Sequence, residues 1–215
     1  MGSIAVIDYG LGNLHSVAKA LERVSEGARV RITSAPAEVA AAERVVFPGV
    51  GAIRDCMDGL RRHGLDHALR QTVAAGKPLL GICVGMQALM QASEENDGTE
   101  CLGLLPGQVR FFGTGQRDPH TGERLKIPHM GWNQVHQTRD HALWAGIEQD
   151  SRFYFVHSYF VDLPAADWVA GETHYGRRFC SAVASEALFA VQFHPEKSQH
   201  AGLRLLANFT RWQGD

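Results

Sequence analysis

Up to Met90 the chain alternates short apolar runs with stretches of helical periodicity. Residues 4–7 (Ile-Ala-Val-Ile) read as a buried strand, and residues 14–24 place apolar side chains at helical spacing. A second strand is predicted at 30–32, then a short alanine-rich helix and a third strand at 44–47. Helices follow over 52–62 and 65–75, and a fourth apolar run at 79–82 leads into a helix at 86–90. Alternation of this kind implies right-handed crossovers and a parallel sheet. From Gly103 the pattern changes. Strands at 109–112, 133–136, 152–157, 182–184 and 188–193 follow with turn signals and few helices between them, which reads as an antiparallel addition. Residues 113–122 read as a polar loop or hairpin, and 202–212 as a closing amphipathic helix. No repeat, low-complexity tract or linker interrupts the chain. The expectation is one domain over residues 1–215: a three-layer α/β fold with a mixed, mostly parallel central sheet of flavodoxin-like character.

Composition narrows the function classes. Apolar residues make up 45% and charged residues 20% of 215, enough for a sizeable core. A net charge of -2 argues against nucleic-acid binding through a broad basic face. The 11 histidines form no ligand-spaced cluster with the cysteines, so no metal site is expected. His63 and His67 are one helical turn apart, but no Glu or Cys completes a set, and solvated positions are expected for both. No apolar run reaches membrane-spanning length, and the N-terminus carries no secretory pattern. The four cysteines show no pairing pattern, which points to a reducing cytoplasm.

One junction carries chemistry. Residues 77–90 pass from an apolar strand into a helix, with Cys83 at the turn, Gly81 two before it and Gly85 two after. That is the spacing of a nucleophile elbow with cysteine in the place of serine. A sharp strand-to-helix turn strains the nucleophile's backbone, and only small residues at plus and minus two let the chains pass. The turn also sets the sulfur at a helix N-terminus, where the dipole favours thiolate. An inert buried cysteine is the plainer reading of this stretch alone.

The C-terminal strand decides between them. Residues 188–193 run directly into His194-Pro195-Glu196-Lys197-Ser198. Cysteine, histidine, and a glutamate two residues on make a nucleophile, its base and the group that orients the base. Pro195 cannot extend a ladder, so His194 falls at a strand end, where open α/β sheets place their sites.

Gly81-Ile82-Cys83-Val84-Gly85-Met86-Gln87 and Phe193-His194-Pro195-Glu196 resemble the class I, or triad, glutamine amidotransferases. Pro48-Gly49-Val50-Gly51, Pro128-His129-Met130-Gly131-Trp132-Asn133 and Tyr154-Phe155-Val156-His157-Ser158-Tyr159 narrow the resemblance to the glutaminase subunits of imidazole glycerol phosphate synthases. The similarity runs from about Ile4 to Trp212. It implies hydrolysis of glutamine to glutamate and ammonia by Cys83, His194 and Glu196, with no metal or organic cofactor. It implies an oxyanion hole from the amides of Val50 and Val84, and Gly49 and Gly51 leave the Val50 peptide free to flip. Gly51, Gln87 and Glu95 (or its neighbour Glu94), with the backbone of His157, Ser158 and Tyr159, would hold the substrate. The implied partner is a (β/α)8-barrel cyclase subunit, in a heterodimer that makes imidazole glycerol phosphate for histidine biosynthesis. Tyr154 and Lys197 would meet at the ammonia exit. Trp132, expected in a Met-Gly-Trp-Asn turn, would pack against the barrel.

Two other classes of protein share parts of this pattern. A redox-sensing or binding protein could keep the cysteine, but has no use for His194 and Glu196 together. A γ-glutamyl hydrolase, or the glutaminase of another synthase, could keep the triad, but residues 128–133 favour the histidine-pathway subunit.

Overall fold

The structure, a computed structural model, describes residues 2–117 and 121–214. In the first half strand and helix alternate as the periodicity predicts: β1 (Ser3–Ile7), α1 (Leu14–Val24), β2 (Arg29–Thr33), α2 (Pro36–Ala41) and β3 (Arg44–Gly49). Two consecutive helices, α3 (Ile53–His63) and α4 (Leu65–Ala74), lead to β4 (Leu79–Cys83) and the short α5 (Val84–Ala88). Gly64 separates α3 from α4. Its φ of 68° lies in the left-handed region, and its N–H turns back onto the carbonyls of Leu60 and Arg61 to close α3. β1 pairs parallel with β2 and β3, and β3 with β4.

The second half supplies β5 (Ala92–Ser93), β6 (Thr99–Glu100), β7 (Gln108–Phe111), β8 (His129–Gln134) and β9 (His136–Gln137). It continues through β10 (Arg152–His157), β11 (Tyr159–Asp162), β12 (Val169–Tyr175), β13 (Arg177–Ser185) and β14 (Leu188–Val191) to α6 (Gln199–Arg211). The main sheet runs β2-β1-β3-β4-β14-β13-β11-β7-β5-β6, with β12 joining β13 and β9 to one side. β14 is its seam: it pairs parallel with β4 and antiparallel with β13. The strands on either side of the cysteine, β3, β4 and β14, are buried along their whole length. That is why they read as unbroken apolar runs rather than alternating ones. α1 packs against α6, and α2 and α3 against α4, which gives the expected helix layers about a mixed sheet.

Three expectations change. The strand predicted at 44–47 continues through Pro48 and Gly49, which pair with Ile82 and Cys83. Trp132 stands in β8 rather than in a turn, directly opposite Tyr154 of β10. β8 and β10 do pair antiparallel, but as a separate two-stranded sheet. The reason is an inverted face. β8 buries His129 and exposes Met130 and Trp132, so its apolar residues point outward and the usual reading of alternation fails. Of the loop expected at 113–122, residues 118–120 lie outside the described residues. On either side of them Arg117 bridges Arg124 in antiparallel fashion.

Candidate active site

Cys83 ends β4 and precedes the first turn of α5, with φ 55° and ψ −111°. A positive φ is strained for a residue with a side chain, and such strain concentrates at functional turns. The two glycines have the steric role expected of them. A Cβ on Gly85 would lie 1.9 Å from the Phe47 carbonyl oxygen, and one on Gly81 would lie 2.9 Å from the Ala190 Cβ. Neighbouring strands close in on the elbow from both sides, so the chain passes only without those atoms.

Register brings in the rest. Gly49 of β3 lies opposite Cys83, so the strand exit at Val50 and Gly51 falls beside the sulfur. On the other flank Val191 of β14 lies opposite Ile82, and the chain reaches His194 three residues later. Three adjacent strands thus deliver the Val50 loop, Cys83 and His194 to one edge of the sheet. They open on a cleft of about 270 Å³. Val50, Gly51, Cys83, Val84, Gln87, Glu95, His157, Ser158, Tyr159 and His194, all named from the sequence, line it, and Pro128 and Val156 complete the wall.

His194 Nδ1 lies 2.9 Å from Glu196 Oε1, and both side chains are almost wholly buried. Among the described residues His194 Nε2 has no hydrogen-bond partner. Burial by itself would lower the imidazole pKa. The adjacent Cys83 sulfur and the Glu196 carboxylate oppose that and together push it up to about 10. Both neighbours favour the protonated form of the ring. Asn13 Nδ2 approaches the same Glu196 oxygen at 3.5 Å.

The other cysteines differ from Cys83 in setting. Burial pushes the Cys56 thiol up to about 12 and the Cys101 thiol up to about 11, and raises Cys180 as well. Among the described residues none of the three has a counterpart of the His194–Glu196 pair beside it. Among the described residues no group of three or more His, Cys, Asp or Glu side chains could hold a metal ion.

Structure separates Glu95 from Glu94. Glu95 lines the cleft and accepts the Ile53 N–H at 2.8 Å, so it also caps the start of α3. Glu94 turns away to Arg110 at 2.7 Å and to the Phe111 N–H at 2.9 Å. The Arg110 hydrogen bond holds its carboxyl below the usual range. The His157 ring is likewise not aimed at substrate. Its Nδ1 is 2.7 Å from the Tyr159 carbonyl and its Nε2 is 2.9 Å from His129 Nδ1, so the ring braces the segment whose backbone lines the cleft.

Lys197, Tyr154 and Trp132 stand together just outside. The Lys197 ammonium lies 5.9 Å from the Tyr154 ring centre, and Trp132 meets that ring edge-on at 6.1 Å. Tyr154 also ties this group to the site, because its carbonyl accepts the His194 backbone N–H at 2.9 Å.

Sequence reasoning misses two groups. Gln192 lies 3.6 Å from Cys83 Sγ, yet in the sequence it is only the polar member of an apolar strand. Tyr9 is buried at 2% exposure. Its hydroxyl sits among Cys56, Cys83 and the backbone of Val50, and burial raises its pKa. It follows a strand in a turn, where nothing local signals which neighbours it meets.

Residues 5–212 match the family model described as glutamine amidotransferase class-I. The chain is 59% identical over 215 residues to imidazole glycerol phosphate synthase subunit HisH 1 of Pseudomonas aeruginosa, covering 100% of this chain and 99% of that one. It is 58% identical to the HisH subunit of Pseudomonas syringae pv. syringae, with the same coverage. Among solved structures, that of PurLQS from Thermotoga maritima superimposes with a TM-score of 0.72. The match covers 98% of this chain and 99% of that one at 16% identity, a likeness of fold.

Proposed function

The chain belongs to the class I glutamine amidotransferase family, and on that footing we propose that Cys83, His194 and Glu196 are the triad by which it hydrolyses glutamine. Full-length identity of 58–59% to HisH subunits makes it the glutamine-hydrolysing subunit of imidazole glycerol phosphate synthase, in histidine biosynthesis. The observation that carries the triad is the His194–Glu196 contact at 2.9 Å, with the other imidazole nitrogen, unpaired among the described residues, beside the elbow cysteine.

The chemistry follows from the placement. The Cys83 sulfur attacks the side-chain carboxamide carbon of glutamine. Negative charge moves to the carboxamide oxygen, where the N–H groups of Val50 and Val84 stabilise it. The carbon–nitrogen bond breaks as His194 Nε2 gives its proton to the leaving nitrogen. Ammonia departs and a γ-glutamyl thioester remains. Water then attacks the thioester carbon while His194 takes up a proton, and glutamate leaves as the sulfur is released. Glu196 fixes the imidazole tautomer and stabilises its cation. Gly51, Gln87 and Glu95 help hold glutamine, and the backbone at His157, Ser158 and Tyr159 holds its amino-acid end.

The ammonia passes to a (β/α)8-barrel cyclase subunit in a heterodimer. Exposed Met130 and Trp132 support a docking face on β8, with Tyr154 and Lys197 at the ammonia exit. The whole chain acts as one glutaminase unit. Four unpaired cysteines support a reducing cytoplasm as its compartment.

A resting state is also part of this reading. The backbone of Val50 neighbours the buried Tyr9 hydroxyl, and Gly51 follows at φ 91°, a conformation suited to a peptide that turns over. Withdrawing one oxyanion donor typically costs about a hundredfold to a thousandfold in rate. The test is glutamine hydrolysis by the purified chain with and without the cyclase and its ligand. Low activity alone and a large rise in the complex are expected. Full activity alone, unchanged by the cyclase, overturns the resting state. No hydrolysis under any condition overturns the triad.

A further inference from the structure

Gln192 follows β14 directly, two residues before His194, and has no exposed surface. A buried primary amide needs partners for its donors and its acceptor. Gln192 Nε2 donates to Cys83 Sγ at 3.6 Å, and its Oε1 accepts from Gln87 Nε2 at 3.0 Å.

The neighbours fix which end faces the sulfur. Gln87 Nε2 also donates to the Tyr159 carbonyl oxygen at 3.2 Å. A carbonyl only accepts, so the nitrogen of Gln87 must stand there. Both of its N–H groups are then committed, one to Tyr159 and one to Gln192. Gln192 must present oxygen to Gln87 and nitrogen to Cys83. The reverse orientation would set two N–H groups against each other and a carbonyl oxygen against the sulfur. The same Tyr159 carbonyl accepts from His157 Nδ1 at 2.7 Å, so the anchor of this chain of hydrogen bonds is itself held.

We propose that Gln192 is a catalytic residue whose Nε2–H group donates to the Cys83 sulfur and stabilises the thiolate that attacks the carboxamide. The inference rests on Cys83 being the nucleophile. It also meets a need the elbow leaves open. α5 has only five residues, so its dipole is a weak source of support for negative charge. His194 approaches the sulfur from one side, and the fixed amide of Gln192 adds a donor where no water competes for it.

The test uses the full-length chain and iodoacetamide, a small carboxamide that the cleft can admit. Alkylation of Cys83 is followed by peptide mass across pH, which reads the thiolate directly. Gln192→Met keeps the volume and loses the donor. Gln192→Glu keeps the shape and sets an acceptor against the sulfur. A hydrogen bond to a charged group corresponds to a shift of about one to two pH units. The midpoint for Cys83 should rise by about that much in Gln192→Met, and further in Gln192→Glu. Cys56, Cys101 and Cys180 should stay slow to react, since general loosening would expose all of them. A folded variant of either kind with the wild-type midpoint overturns the role of Gln192 alone. Failure of wild-type Cys83 to react at any pH overturns the nucleophile, and this inference with it.

Discussion

The elbow and the β8–β10 ribbon lie within one side chain's reach of each other, yet sequence determines them in opposite ways. At the elbow the strand and turn are closed in: Cys83 and His194 are 4% and 1% exposed, and Gly85 has the Phe47 carbonyl where a Cβ would go. On the β8 side of the ribbon the apolar side chains face outward, with Met130 at 61% and Trp132 at 41% exposure, while Phe153 and Phe155 of β10 are buried. Sterics inside the chain fix the first region. The second is only half determined by this chain, because among the described residues no element covers its outer face. The proposed chemistry thus lies where the fold leaves no choice, and the proposed docking face where it leaves one.

The comparison breaks most sharply at the nucleophile. Cys83→Ala should lower glutamine-dependent activity by about 10⁴-fold or more while sparing synthesis from added ammonia, because a methyl group cannot attack and the cyclase needs only ammonia. His194→Ala should be nearly as severe. Glu196→Gln should be milder, since an amide can still orient the ring. Steady-state rates with glutamine and with ammonium would check this, and equal, negligible losses for all three would contradict the triad.

Gly85→Ala tests the steric half of the contrast. The added Cβ would meet backbone at 1.9 Å, with no rotamer to relieve it, and should cost about 3 kcal/mol or more in a denaturant titration. Gly81→Ala meets side chains at 2.9 and 3.1 Å and should cost less. The reverse order would mean that β3 yields more readily than β14.

A pH experiment reaches the base of the ribbon. Burial holds His129 at about 4, and burial together with His129 holds His157 at about 3, both below a free imidazole. The folded chain keeps both rings neutral, whereas the unfolded chain takes up protons below about pH 6.5. Stability should therefore fall as pH drops from about 6.5 towards about 4, and further towards about 3 for His157. His129→Gln should flatten that fall. Melting curves of equal steepness against pH would show that the pair does not set acid sensitivity.

The smallest effect on the isolated chain is expected at the outer face. Trp132→Ala or Lys197→Ala should change stability by about 0.5 kcal/mol. Either should weaken assembly or raise the glutamate released per imidazole product. Unchanged partner affinity together with unchanged stoichiometry would place the interface elsewhere.

What can be read from the residues follows the same division. The elbow is legible because its requirement is local: two missing side chains at fixed spacing report a backbone crowded from both sides. His194-Pro195-Glu196 is legible for a like reason, since proline marks the end of the strand. β8 reads as a turn about Trp132 because exposed apolar and buried polar residues reverse the signal on which alternation depends. β11 and β12 are hidden beside their stronger neighbours. Gln192 cannot be singled out, because its meaning lies in the direction of one amide, set by a carbonyl at Tyr159.

The position of β14 in the sheet has a consequence for how the chain is made. It is the last strand in sequence, yet it lies between β4 and β13 and joins the two halves. A nascent chain that ends before Leu188 leaves both of those neighbours with an open edge. Open edges invite pairing with other chains. They close only when the strand that leads to His194 is inserted. The step that seals the sheet during synthesis is thus also the step that supplies the base, and an incomplete chain can hold a cysteine at the elbow without the means to use it.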